Sequence, residues 1–274
     1  GYLGNGSNNN EGVTADIILT GTETGGTGDA LIINNGYDKA SHAFTGTIQG
    51  HGNLHQNWDS TSSQTYRFQG DISGWDGSFK TSGGAGAITV YYEQNATQIN
   101  TPIVHNRNAS LDVHIDNDKD VTVNGTIERQ QASLNLFVNA NATFNGALTD
   151  VSTLTVESGK TATLKGESSI STLSGAGSLT VDSGDNSVLL NAVSEYTGDV
   201  NVTSGTLDLT NAASTVTLGS LTMNSGGTLK LDAENMLAVT ESLTLGANAT
   251  LDLSQLALSG ERSSYMLASG GNIS

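Results

Sequence analysis

Apolar residues in the last third of the chain come in pairs separated by one polar position, and the pairs recur. Thr206-Leu207-Asp208-Leu209 returns as Thr228-Leu229-Lys230-Leu231 and as Thr250-Leu251-Asp252-Leu253, 22 residues apart each time. A second track keeps step beside it: Val200-Asn201-Val202, Leu221-Thr222-Met223 and Leu243-Thr244-Leu245, at spacings of 21 and 22. Followed backwards, the second track continues through Leu179/Val181, Leu154/Val156, Leu134/Leu136 and Leu111/Val113. The first continues through Val188/Leu190, Ala162/Leu164, Ala142/Phe144 and Val121/Val123. The interval between Val156 and Leu179 is too long by about four residues, which predicts a bulged corner around 173–177.

An apolar-polar-apolar triplet alternates its side chains, two to one face and one to the other, as a strand does. Segments this short between Gly, Asn and Ser pairs are strands and corners, not helices. Strands that repeat at a fixed interval stack on themselves at about 4.8 Å per coil. Each coil then buries its apolar pair on the coil below. The pattern predicts an all-β, single-stranded parallel β-helix with coils of about 20–24 residues.

The first hundred residues follow the rule at a looser period. Phe44-Thr45-Gly46-Thr47-Ile48-Gln49-Gly50 recurs 24 residues later as Phe68-Gln69-Gly70-Asp71-Ile72-Ser73-Gly74, and Ala87-Ile88-Thr89-Val90-Tyr91-Tyr92 reads as a further strand. Most of the bulky aromatics lie here, including Trp58, Trp75, Tyr66, Tyr91 and Tyr92. With no Pro-rich or charged linker, residues 1–274 read as one continuous β-helix. Its coils are wider and aromatic-bearing over 1–105, and regular and Leu/Val-laddered over 106–274.

Composition narrows the functional classes. Acidic residues outnumber basic ones 27 to 10, for a net charge of −17. Phosphate recognition needs clustered Lys and Arg, so this balance argues against nucleic-acid partners and anionic membrane surfaces. The chain has no Cys, hence no disulfide, thiolate metal site or cysteine nucleophile. No apolar run approaches the ~18 residues of a membrane-spanning helix, so no membrane insertion by this segment is expected. Gly1 opens directly in polar, Asn-rich sequence, which reads as a mature or excised piece of something longer.

One stretch carries a family resemblance. Tyr196-Thr197-Gly198-Asp199-Val200-Asn201-Val202-Thr203-Ser204-Gly205-Thr206-Leu207-Asp208-Leu209 resembles the autotransporter-associated β-strand repeat, with Leu173-Ser174-Gly175-Ala176-Gly177-Ser178-Leu179-Thr180-Val181 similar to its leading strand. The segment Phe68-Gln69-Gly70-Asp71-Ile72-Ser73-Gly74-Trp75-Asp76-Gly77-Ser78-Phe79 is similar to another unit of such passengers. The well-matched motif covers about 40 residues, with looser copies over most of the rest. The resemblance implies a right-handed β-helix in the passenger of a large bacterial autotransporter-like protein, exported across the outer membrane as a stalk or adhesin. The lack of Cys fits that route. The family defines a scaffold, so no catalytic residue is carried over.

Candidate chemistry is sparse. Asp112, Asp116, Asp118 and Asp120 gather around a turn, where oxygen ligands suit Ca²⁺, but the bend glycine and distal Glu of an ion-binding loop are missing and a solvated corner is the simpler reading. Trp58-Asp59 and Trp75-Asp76 each set an aromatic beside an acid, as in a carbohydrate-binding platform; the competing reading is that each indole fills the wider coil. His51 and His55 lie four apart in turn-rich sequence, where that spacing does not align them. No Ser/His/Asp arrangement stands out. The outward Thr122, Thr155, Thr180, Thr222 and Thr244 form a candidate ladder, interrupted at Asn135 and Asn201. Six Asn-x-Ser/Thr triplets, at Asn95, Asn108, Asn124, Asn141, Asn201 and Asn248, match glycosylation acceptors but also suit turns into strands.

The sequence therefore points to a non-enzymatic, secreted or cell-surface passenger segment with no cofactor and no metal. It would act as a stalk or adhesin scaffold that contacts host or matrix glycans or proteins through Trp58 and Trp75, with self-association left open. The rival is a polysaccharide-degrading β-helix enzyme, a lyase or glycosidase, which would need carboxylates and bases converging on one face.

Overall fold

The structure is a computed structural model that describes residues 2–4, 12–21, 29–34, 41–57, 61–233, 236–256, 266 and 268–273. Its regular structure is parallel β-strand without helix among the described residues, stacked as a β-solenoid of about nine turns. The chain divides into two compact units, Gly1–Ser152 and Thr153–Ser274.

In the first unit each coil contributes strands to three sides. One side stacks Asn53–Asn57, Phe79–Ser82, Ile103–Asn106 and Ile127–Arg129, with Leu54, Phe79, Ile103 and Ile127 superposed. A second stacks Ser41–Phe44, Gln64–Phe68, Ile88–Tyr92, Leu111–Ile115 and Leu134–Val138. The third side is made of two shorter runs: Ile17–Thr20, Ile48–His51 and Trp75–Asp76, then Gln98–Ile99, Val121–Val123 and Ala142–Phe144. Strict alternation turns every second residue inward, and the inward ones are buried: Ile88, Val90 and Tyr92 on one strand, Leu134, Leu136 and Val138 on another. Burying a Leu or Val side chain contributes about 2 kcal/mol. Phe44, Phe68 and Tyr92 stack with ring centroids 5.3 Å apart at each step, which accounts for the wide aromatic coils.

The second unit carries the Leu/Val ladders. Ala162/Leu164, Leu179/Val181, Val200/Val202, Leu221/Met223 and Leu243/Leu245 form one continuous stack, and Val188, Leu207, Leu229 and Leu251 form another. Both are the expected tracks from residue 179 onward. Before that point the expectation needs correcting. Leu179 and Val181 rest on Ala162 and Leu164, not on Leu154 and Val156, and the connecting coil is short (179 − 162 = 17) where the sequence suggested a bulge.

Residues around 173–177 are not an insertion. Ser168–Gly175 is a strand, and the amides of Ala176 and Gly177 donate to the Val156 carbonyl at 3.1 and 3.0 Å. Val156 thus belongs to the third side of the coil, whose strand near Leu173 shows only one apolar residue and leaves no visible pair.

The Tyr196-Thr197-Gly198 motif has a packing cause. The Tyr196 ring is buried, with its hydroxyl 2.9 Å from the carbonyls of Gly177 and Asp199. A Cβ on Gly198 would lie 1.8 Å from the Gly177 oxygen, so only glycine lets the corner close over the coil below.

Candidate functional site

The outward positions of the first unit hold the most side-chain chemistry. On the side built from Gln64–Phe68 to Leu134–Val138, outward residues Arg67, Tyr91, His114 and Phe137 fall one above another. The Arg67 guanidinium sits 4.0 Å over the Tyr91 ring centroid, in reach of a cation–π attraction. Tyr91 to His114 and His114 to Phe137 are both 4.4 Å, nearly parallel. Arg67 Nη1 donates to Glu93, whose other oxygen accepts from Gln69 Nε2 at 2.8 Å. Burial in the stack pushes the His114 imidazole pKa down, and the nearby Asp112 and Asp116 only partly oppose this. The stack favours neutral, flat rings.

The four aspartates are not brought together. Asp112 accepts from Asn135 Nδ2 at 2.8 Å and Asp120 from Asn141 Nδ2 at 3.1 Å. Asp116 and Asp118 line a shallow recess with Glu93, Gln94 and Asn117. Among the described residues no group of three or more His, Cys, Asp or Glu is placed to hold a metal ion.

Trp75 corrects the carbohydrate-platform expectation. Its indole is fully buried, tilted against Phe68 with centroids 6.0 Å apart, and its Nε1 donates to the Gly52 carbonyl at 2.9 Å. Trp75 pairs with Gly50 on the coil below, and Gly50 and Gly52 both have positive φ (94° and 112°), a corner that favours glycine. Glycines under and beside the indole make room for it inside the coil, so no face remains for a sugar ring. Trp58 lies outside the described residues.

His51 and His55 diverge as their spacing suggested. His51 Nδ1 is 3.0 Å from Asp76 Oδ2 at an exposed corner. His55 Nε2 lies 2.6 Å from Ser82 Oγ on a different side of the coil. Sequence reasoning missed this second pair. Lys80 stands directly over His55 and Ser82 is two positions further along the same strand, so both serine and histidine point outward. The only sequence signal was the loose coil period, which was not tracked strand by strand there.

A recess of about 570 Å³ opens at this pair, lined by His55, Lys80, Thr81, Ser82, Val104, Asn106 and Gln130. Behind it the interior is polar. Gln56, Thr81 and His105 are superposed and buried, and Thr81 Oγ1 is 2.9 Å from His105 Nδ1. Arg107, almost fully buried, donates from Nη1 to Gln56 Oε1 at 2.6 Å and to the Ser82 carbonyl at 3.2 Å. Burial lowers the His105 pKa to about 4, and the guanidiniums of Arg107 and Arg129 act in the same direction.

No family model matches the chain, and no curated protein or solved structure matches it significantly.

Proposed function

We propose that this chain is an extracellular passenger segment of a bacterial autotransporter-like surface protein, serving as a stalk or adhesin scaffold. The observation that carries the reading is the outward stack of Arg67, Tyr91, His114 and Phe137. A solenoid holds successive coils at a fixed spacing, so side chains from distant sequence positions form one pre-ordered face. Ordering such a surface before contact removes an entropic cost of binding. Tyr and Arg are also the residue types that dominate contact surfaces. The motif around Tyr196 and the absence of Cys support the passenger assignment.

With Trp75 inside the coil, contact with host or matrix glycans or glycoproteins falls to this face. Binding of the purified chain to immobilised mucin and matrix glycoproteins tests the adhesin role. Tyr91→Ala should weaken it at least tenfold while the sheet spectrum is retained. Equal binding by wild type and Tyr91→Ala removes the face from the proposal. Antibody labelling of intact source cells tests the surface location.

A further inference from the structure

The geometry points to a second activity that does not rest on the scaffold reading: Ser82 and His55 form a nucleophile–base pair that hydrolyses short-chain O-acyl esters. Three observations carry it. The first is distance. Ser82 Oγ and His55 Nε2 are 2.6 Å apart, within the range at which imidazole can take a hydroxyl proton. The second is access, because the pair shares an outward recess of about 570 Å³, a volume typical of small-molecule sites. The third is anchoring. The Ser82 carbonyl accepts from buried Arg107, and the preceding Thr81 is hydrogen-bonded inside the coil to His105. A serine fixed from behind keeps its hydroxyl in one place.

The recess also supplies charge stabilisation. Asn106 pairs with Ser82 one coil on, and its carboxamide oxygen is occupied by the Gln131 amide. That leaves the Asn106 NH₂ as a donor toward the oxygen on which negative charge develops. Lys80, in the same lining, adds a positive charge. Donors of this kind supply much of the rate enhancement in acyl transfer.

With the imidazole proton on Nδ1, Nε2 accepts the Ser82 proton as Oγ bonds to the acyl carbon. The tetrahedral intermediate collapses by breaking the bond between acyl carbon and ester oxygen, and the departing alkoxide takes the proton from Nε2. Water then attacks the acyl-serine and gives its proton to His55. The carboxylic acid leaves and the proton returns to Ser82 Oγ. No co-reactant other than water is needed. Esters fit the pair better than amides, whose leaving groups are harder to expel.

The test is covalent labelling of the full chain by a biotinylated fluorophosphonate, with peptide mass spectrometry to find the adduct, alongside turnover of p-nitrophenyl acetate. The expected result is one adduct, on Ser82, and ester turnover that is abolished by Ser82→Ala. His55→Gln should slow both reactions about a hundredfold, the low end of general-base contributions. Circular dichroism on each variant separates lost chemistry from lost fold. An unmodified wild-type chain, or an adduct on another residue, overturns the proposal without any variant. So does ester turnover that survives in folded Ser82→Ala.

Discussion

The side-chain amide of Asn145 donates to the side-chain oxygen of Asn124 at 2.7 Å, one coil stapled to the next at the same corner. Asn124 repeats the contact onto Asn100 at 2.7 Å, and Asn100 Nδ2 reaches the Ser73 carbonyl at 2.7 Å. These residues sit at an exposed or half-exposed corner, so each bond adds modestly, about 1 kcal/mol. Asn124→Ala breaks two at once and should lower unfolding free energy by about 1–2 kcal/mol, read from the denaturant midpoint. Because Asn124 heads one of the glycosylation triplets, the same geometry predicts that a folded chain offers it poorly to a glycosyltransferase.

Leu229 lies between Leu207 and Leu251 in one inward stack. Leu207 and Leu229 are buried, whereas Leu251 is 46 % exposed. Leu229→Ala should cost about 2–5 kcal/mol, and Leu251→Ala clearly less, since it has less burial to lose. Lys230 faces outward on the same strand and reaches Asp208 at 3.0 Å, with Asp252 in register on its other side. Lys230→Ala should therefore destabilise less than Leu229→Ala, by an amount that shrinks as salt is added. Denaturant titrations at low and high ionic strength check all three. If the lysine variant equals the Leu229 variant, the inward and outward faces are misassigned.

These ladders were legible because two sides of each coil repeat a doubled apolar pair at nearly constant spacing. The third side was not, because strands such as that at Leu173 carry one apolar residue and a run of Ser and Gly. Its omission sent Leu154/Val156 to the wrong neighbour. The outward chemistry was harder still. Tyr91 and His114 look unrelated in a linear chain, as do His55 and Ser82; they meet only once the register of successive coils is known, and the aromatic half keeps that register least regularly. Trp75 failed for another reason: an indole between glycines reads equally as an exposed platform or as a bulky side chain given room inside, and only burial decides.

That burial gives a direct optical test. In a Trp58→Phe chain, Trp75 becomes the sole indole, and its emission should be blue-shifted and resistant to iodide quenching until the protein unfolds. Added oligosaccharide should leave it unchanged. Trp75→Ala removes a large core side chain and its bond to Gly52, and should cost about 3–5 kcal/mol. An iodide-accessible Trp75 in the folded state contradicts the packing described.

His105 sets a pH dependence. Burial, reinforced by Arg107 and Arg129, holds its pKa at about 4, below the ordinary 6.5. Above pH 6.5 the imidazole is neutral in folded and unfolded chains alike, and its contribution to stability is fully present. As pH falls from 6.5 toward 4 the unfolded chain takes up a proton that the folded chain refuses, so stability declines. At about 1.4 kcal/mol per pKa unit the total loss is on the order of 3 kcal/mol. His42 and His114, also lowered by burial, steepen the fall in the same direction. The carboxylates of Asp182 and Asp208 are held below their ordinary value. Ser204 and Lys165 outweigh burial at Asp182, as Thr210 and Lys230 do at Asp208, so their contributions are lost only as pH falls further, below about 4. Urea unfolding between pH 8 and 4 should therefore show a slope beginning near pH 6.5, and His105→Gln should flatten it even if that variant is less stable at pH 8. An unchanged slope in the variant places the titration elsewhere.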